Sequence, residues 1–398
     1  MSTLELAGLA EILAVIGLAQ GWVGSEVVRS FRRRQHEVAS PGSRPPVSVL
    51  KPLYGDEALL EDALASFCVQ QYEPFQVVFG VQWSDDPALA VIQRLRTRYP
   101  CCDIAVVVDP RRHGSNGKVS NLLNMVAAAR YDVLIVSDSD VHAPLDYLDR
   151  IIAALTTPGT GLVTTLYTGL PANRSLAAAL GATWITHNFL PGALLARCLG
   201  RQDCLGATMA LRRHTLQAIG SFSVLADVLA DDQALGQLVR GRGLAVRLAT
   251  TVPATTVPES TFLNLVRHEL RWNRTVLAIE PLGFCLSFLI QHPLFWALLA
   301  AAVSGGRLWA SAGFAAAWGV RAILARAIDR ALDLAKPTCA AQAPLWLLPL
   351  RDLLSVVVMI ASFGSDRVEW RGAILRARPL MHTAAPSSGM PEKPAGAA

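Results

Sequence analysis

Long apolar runs stand at both ends of this chain, and a stretch of mixed polarity lies between them. Residues 6–24 (LAGLAEILAVIGLAQGWVG) are long enough to cross a bilayer, and apolar runs return at 282–303, 307–325 and 344–363. Such a chain folds partly in water and partly in lipid, where only helices or closed barrels satisfy the backbone. Composition agrees: the chain is 52% hydrophobic and 17% charged, against about 25% charged in a soluble domain. These figures exclude a disordered chain and argue against a wholly soluble one.

Charge placement suggests an orientation. Arg29, Arg32, Arg33 and Arg34 follow the first apolar run directly. The positive-inside rule puts them in the cytoplasm, which makes 1–28 an uncleaved anchor. No basic residue precedes the run, so it does not read as a cleaved signal peptide. Polar residues interrupt several runs: Glu11 and Gln20 in the first, Arg321 in 307–325, and Arg351 with Asp352 in 344–363. The segment 176–199 is apolar too, but Thr, His and Asn interrupt it, so it reads as a buried or interfacial helix. We expect membrane helices within 281–365, then a basic cytosolic tail over 366–398 that is disordered from about residue 382. Three full spans would carry Arg367, Arg371, Arg376 and Arg378 outside. One of the three is therefore expected to be re-entrant or interfacial, with 344–363 the first choice.

Several classes of function fall away. The basic residues are not spread as a nucleic-acid footprint, and no basic-aromatic RNA motif occurs, so no nucleic-acid partner is expected. Arg outnumbers Lys 32 to 4, a bias typical of GC-rich genomes, which points to a bacterial inner membrane. The seven cysteines show no C-x-x-C spacing, so neither a disulfide framework nor a zinc site is indicated. They read as reduced, buried small hydrophobes.

The region 40–280 has a different texture. VSVLK (47–51), FQVVFGVQ (75–82), DIAVVVD (103–109) and DVLIVSDSD (132–140) read as buried strands, with helices predicted at 57–70, 87–98 and 117–130. Strands alternating with helices imply βαβ units and a mostly parallel sheet, a Rossmann-like α/β domain.

Ligands of open α/β sheets bind at the carboxyl ends of the strands, so polar residues there are the first candidates. Asp138 and Asp140 follow the run VLIV, and two carboxylates one residue apart can hold Mg²⁺ or Mn²⁺. With 19 Asp in the chain, about one D-x-D arises by chance, so the strand-end position is what raises this pair above a solvated turn. Asp85 follows the second strand and could accept hydrogen bonds from a base or ribose; a turn or helix cap at Asp85-Asp86-Pro87 is the alternative. Lys118 opens a helix whose N-terminus suits a phosphate, although the Walker A spacing is absent. Asp231 and Asp232 precede a helical stretch and either cap it or supply a general base. Arg271 and Trp272 close the region, as an interfacial anchor or as part of a diphosphate clamp.

The order of these pieces carries more than any one of them. VSVLKPLYGDEALLEDALASF, GVQWSDDPAL, NGKVSNLLNM, VSDSDVHAP, LADDQALGQLVRGRG and HELRW, with a late VEWRG, together resemble the ceramide glucosyltransferase-like family. That is glycosyltransferase family 21, within the wider family-2 GT-A group. The resemblance covers roughly 47–280 and 364–380. It implies a GT-A catalytic domain at 40–280, flanked by transmembrane or interfacial helices and facing the cytosol. It also implies an inverting transfer of Glc or GlcNAc from a UDP-sugar to a membrane-lipid hydroxyl, on ceramide or on a hopanoid polyol of the bacteriohopanetetrol type.

By the same resemblance, Asp85 contacts the uridine side of the donor, with Lys118 and Asn121 forming the K-x-x-N that follows. Asp138 and Asp140 hold the metal and the diphosphate, Asp232 is the base, and Arg271 and Trp272 serve the diphosphate and the acceptor. One position departs from the family: His268 stands where Gln or Arg is usual, with Arg267 one residue earlier. A processive polysaccharide synthase and a non-catalytic membrane scaffold are the alternatives.

Overall fold

The computed structural model describes residues 2–37, 44–334, 342, 344–365, 367–370 and 373–376. Cys339, Arg371, Arg378 and the tail from about 382 lie outside the described residues.

Ten strands build the region between the apolar ends: β1 (Val47–Pro52), β2 (Phe75–Val81), β3 (Ile104–Val108), β4 (Val133–Ser137), β5 (Val141–His142), β6 (Thr160–Thr164), β7 (Thr168–Pro171), β8 (Thr208–Arg212), β9 (Ala245–Leu248) and β10 (Ala254–Val257). Seven form one sheet in the order β3-β2-β1-β4-β8-β6-β9, and β5-β10-β7 form a small second sheet. In the large sheet β3-β2-β1-β4 are parallel, β8 runs antiparallel to both β4 and β6, and β9 is parallel to β6. The four strands expected from sequence are β1 to β4. The expected helices are Leu60–Cys68, Ala88–Arg98 and Gly117–Met125, the last extended by a 3₁₀ turn Val126–Ala128.

Side chains alternate across the sheet, as the pleat requires. Val47, Val49, Val77, Phe79 and Ile135 face one layer of core; Leu50, Val78, Leu134 and Val136 face the other. Burial on both faces explains why these strands read as continuous apolar runs rather than alternating ones.

The N-terminal helix, Thr3–Glu37, runs unbroken through the arginine cluster. At 1.5 Å per residue it is about 52 Å long, well beyond a hydrocarbon core of about 30 Å. Leu9, Ile12, Val15 and Ile16 on it are exposed, as a lipid-facing surface requires. Among the described residues three helices are long and apolar enough to cross a membrane: Thr3–Arg34, Leu308–Ala331 and Leu345–Ser362. The pair Pro281–Ile290 and Pro293–Val303 also passes that test, but it bends by 58°. The bend falls at Gln291–His292, whereas Leu345–Ser362, within the run expected to be re-entrant or interfacial, is a single unbent helix of membrane-spanning length. Pro293 supplies the reason, since a proline cannot continue the preceding helix. The segment 176–199 is one long helix with a π-helical turn at Ile185–Phe189.

The cysteines are unpaired among the described residues, but only Cys204 is buried, and Cys101, Cys198 and Cys285 are exposed. The expectation of uniform burial fails because these three sit at loop and helix surfaces.

Candidate active site

A cleft of about 1000 Å³ opens at the carboxyl edge of the large sheet. Its floor is the end of β4, where Asp138-Ser139-Asp140 follows a fully buried strand. The Asp138 backbone is fixed from two sides. Its N–H donates to the Ala207 carbonyl at 3.2 Å, and its carbonyl accepts from Lys51 Nζ at 2.6 Å. Asp140 Oδ2 accepts from the Thr255 hydroxyl at 2.6 Å, which ties the loop to β10. Ser139 Oγ donates to Glu57. Burial, then the neighbouring Asp138 carboxylate, pushes Asp140 up to about 6.

Helix Gly117–Met125 starts beside this floor, capped by Asn116, whose side chain accepts from Val119 N at 3.1 Å. The cap aims Lys118 into the cleft. Lys118 Nζ lies 2.7 Å from Asp138 Oδ1 and 3.6 Å from Asp231 Oδ2. Burial opposes the Lys118 charge, but the Asp138 and Asp231 carboxylates outweigh it and hold the ammonium well above its usual range.

Asp231 and Asp232 open helix Asp231–Arg240, whose N-terminal dipole favours negative charge. Neither is the N-cap, which is Ala230, although Asp232 Oδ1 accepts from Gln233 N at 2.7 Å. Burial, then the Asp231 carboxylate, raises Asp232 to about 6. A carboxylate with that pKa is ionised at neutral pH and can still hold a proton, as a general base requires.

Helix Phe262–Ile279 closes the opposite wall with His268, Arg271 and Trp272. His268 bears on Trp272, ring centroids 4.4 Å apart, and its Nδ1 contacts Glu259. His268 lines the cleft, whereas Arg267 is exposed and outside its lining.

Seven of the eight residues singled out from sequence thus meet in one cleft: Lys118, Asn121, Asp138, Asp140, Asp232, Arg271 and Trp272. Asp85 does not. It is exposed and outside the cleft lining, while its neighbour Asp86 is buried. The Asp86 carboxylate accepts from Gly55 N at 3.0 Å and from Ala88 N at 2.9 Å, binding the β1 loop to the start of helix Ala88–Arg98. The turn thus spends Asp86 on structure, points Asp85 outward, and leaves Gln82 as the β2-end residue facing the cleft. Asn121 also departs partly from expectation. Its Nδ2 donates to the Gly80 carbonyl at 2.8 Å, pinning helix to strand.

Three contributions escaped the sequence reading. Lys51 is fully buried beneath the Asp138 loop, 3.8 Å from the Phe67 ring centroid. Burial pushes it down to about 7 despite the pull of Asp140, Asp138 and Glu57. A lysine ending the strand VSVLK was the available signal. Gly206 is the second, because a Cβ there would sit 2.9 Å from Asp232 Oδ2. The third is a row of rings that Trp272 joins along one wall: Tyr167, Phe189 and Trp184.

The sheet order and the cleft at its carboxyl edge define an α/β fold of the GT-A type. The profile described as Glycosyl transferase family 21 matches residues 9–381, and the chain belongs to that family. It is similar to ceramide glucosyltransferase 3 of Caenorhabditis elegans, at 26% identity over 279 residues, covering 65% of this chain and 60% of that one. It is also similar to a ceramide glucosyltransferase of Komagataella phaffii, at 30% identity over 155 residues, covering 38% of this chain and 30% of that one. The matches therefore span less than two thirds of these curated relatives, 60% of the first and 30% of the second. Among solved structures, a mannosyltransferase from Pyrobaculum calidifontis, in complex with GDP-Man and Mn²⁺, shares the fold. Its TM-score is 0.52 at 18% identity, covering 88% of this chain and 99% of that one.

Proposed function

We propose that this protein is a membrane-bound inverting glycosyltransferase that moves a hexose from a UDP-sugar to the hydroxyl of a membrane lipid, with ceramide as the acceptor the named relatives support. The observation that carries this reading is the meeting of Asp138, Asp140, Lys118, Asp232 and Arg271 in one cleft at the carboxyl edge of the sheet.

The residues suit a divalent cation. Asp138 and Asp140 offer hard carboxylate oxygens, and burial first, then the Asp138 charge, raises Asp140, a cost that a bound cation would offset. No group of three or more His, Cys, Asp or Glu able to hold an ion occurs among the described residues. Two carboxylates with the donor's diphosphate and water make up the shell that Mg²⁺ prefers. When bound, the metal neutralises charge on the departing diphosphate.

The chain's own residues do the rest. Lys118 and Arg271 pair with the diphosphate, Arg271 being suited to a bidentate contact. Asp232 takes the proton of the acceptor hydroxyl. That oxygen bonds to the anomeric carbon on the face opposite UDP, the carbon–phosphate-oxygen bond breaks, and UDP leaves with the electron pair. A single displacement through an oxocarbenium-like transition state inverts the anomeric centre.

The helices long enough to span a bilayer would hold this cleft at its cytosolic surface, where a soluble donor and a lipid acceptor can meet. Lipid mass spectrometry of cells with and without the gene tests the assignment. A glycosylated ceramide that disappears with the gene supports it. A lost hopanoid glycoside would keep the chemistry and change the acceptor, and an unchanged glycolipid profile would overturn the proposal.

A further inference from the structure

The cleft has two unlike halves. On the side of β1, β2 and helix Gly117–Met125 it is lined by polar groups, among them Gln82, Arg112, Ser115 and Asn121. On the other side four aromatic rings stand in a row. Tyr167 and Phe189 are 4.9 Å apart, Phe189 and Trp184 6.0 Å, and Trp184 and Trp272 5.3 Å between centroids. All four are only partly buried, and all four line the cleft.

A local distortion makes this row possible. In a regular α-helix residues five apart point about 140° away from each other. Trp184 and Phe189 are five apart, yet their rings stack at an interplanar angle of 21°. The π turn Ile185–Phe189, with Leu190 N donating to the Ile185 carbonyl, turns both onto one face. Such turns are intrinsically rare and concentrate at functional sites.

The distortion is held from the membrane side. Arg321, in helix Leu308–Ala331, donates to the His187 carbonyl at 3.2 Å and to Asn188 Oδ1 at 3.1 Å. In the same helix, Asp329 Oδ1 lies 2.7 Å from His187 Nε2. His187, Asn188 and Arg321, which interrupt the two apolar runs, therefore meet at this one turn.

The row also runs from the cleft carboxylates towards exposed apolar residues of the next helix. At one end, Tyr167 lies within electrostatic reach of Asp232, Asp138 and Asp140. At the other, Trp272 shares its helix with Val276 and Ile279 on the cleft rim, and the chain continues into Leu282 and Leu286, which are 80% and 60% exposed.

We propose that Tyr167, Phe189 and Trp184 extend the acceptor contact implied for Trp272 into a subsite, an aromatic wall that holds the hydrocarbon beside the nucleophilic hydroxyl and leads the lipid from the bilayer to Asp232. This rests on the lipid-acceptor reading above. Rings offer large apolar faces at little entropic cost, and none of them competes for the donor's charge. Arg321 is a positioning residue that acts through the π turn.

The test measures the unmodified protein, Phe189→Leu and Arg321→Met in detergent with UDP-sugar, Mn²⁺ and a lipid-alcohol extract, alongside UDP–Mn²⁺ binding by calorimetry. Leucine keeps apolar bulk and removes the ring. The apparent KM for lipid should rise about fivefold to tenfold in both variants, while the Kd for UDP–Mn²⁺ moves less than about twofold. An unmoved lipid KM in Phe189→Leu, or a UDP affinity that falls as far as lipid KM rises, overturns the subsite. If the unmodified protein transfers no sugar to lipid, the proposed function itself fails, and that outcome is distinct from either of these.

Discussion

Burial, then an adjacent carboxylate (Asp231 for Asp232, Asp138 for Asp140), puts two carboxylates of the cleft near the same pKa, about 6 for Asp232 and about 6 for Asp140. Asp232 must be ionised to accept a proton, so kcat/KM should fall as pH drops through about 6, by about tenfold per unit for one group. Higher Mn²⁺ should move only the part of that limb that belongs to Asp140, because the ion competes with the proton there. A pH–rate profile at two Mn²⁺ concentrations checks both statements, and a flat acid limb would contradict them. Gly206→Ala tests how closely Asp232 is positioned. Its Cβ would crowd Oδ2 at 2.9 Å, so the carboxylate must shift away, and misplacement of a reacting group lowers the rate steeply, by about 100-fold for about 1 Å and less for a smaller shift. UDP affinity should be kept while kcat collapses. Asp138, Asp140 and Lys118 were legible in the sequence because a strand end or a helix start sets their direction. The choice between Asp85 and Asp86 was not, since adjacent carboxylates look alike until the turn commits one of them. Gly206 and the aromatic row were hidden because they act through approaches between residues distant in sequence.

The charges inside the apolar helices belong to the element scale. Arg351 and Asp352 weakened the reading of 344–363 as a span, yet both side chains face inward. Arg351 makes a bidentate pair with Glu269, at 2.7 and 2.8 Å, and also donates to Ser355 and to the Leu180 carbonyl. Asp352 Oδ2 accepts from Leu294 N at 3.0 Å, meeting the helix that restarts after the bend. The first contact ties a membrane-length helix to the helix of Arg271 and Trp272, since Glu269 stands two residues before Arg271. Breaking a buried pair leaves an uncompensated charge, which costs about 3–5 kcal/mol, whereas replacing both partners by apolar groups is often nearly neutral. Glu269→Met and Arg351→Met should each lower the thermal midpoint in detergent sharply, and the combined variant should recover most of the loss. A combined variant as unstable as the sum of the two would contradict this account. β1, β2 and β4 were readable because both faces are buried and the runs are apolar, whereas β3, expected as buried, is a partly buried edge strand with Val108 exposed, legible from its apolar run alone. β6, β7, β9 and β10 were not, being short and partly polar (TGLVT, TGLP, AVRL and ATTV). They exist through pairing with distant segments such as β8 and β5.

At the scale of the whole molecule, the bend at Gln291–His292 bears on the topology. If the bent pair enters and leaves on one side, two crossings remain after the catalytic region, Leu308–Ala331 and Leu345–Ser362. The chain end then returns to the side of the arginine cluster, as the positive-inside rule requires. A reporter fused to the C-terminus should score as cytoplasmic, and a non-cytoplasmic result would overturn this arrangement. The central claim is that a metal-dependent transfer from a UDP-sugar to a lipid takes place in the cleft with Asp232 as base. Its most direct test is UDP release and glycolipid formation by the purified protein with UDP-sugar, Mn²⁺ and lipid extract, compared with Asp232→Asn. Release should be abolished by EDTA and should fall on the order of 10²–10⁴-fold in the variant, with UDP binding retained. Full activity in EDTA, or in Asp232→Asn, would contradict it.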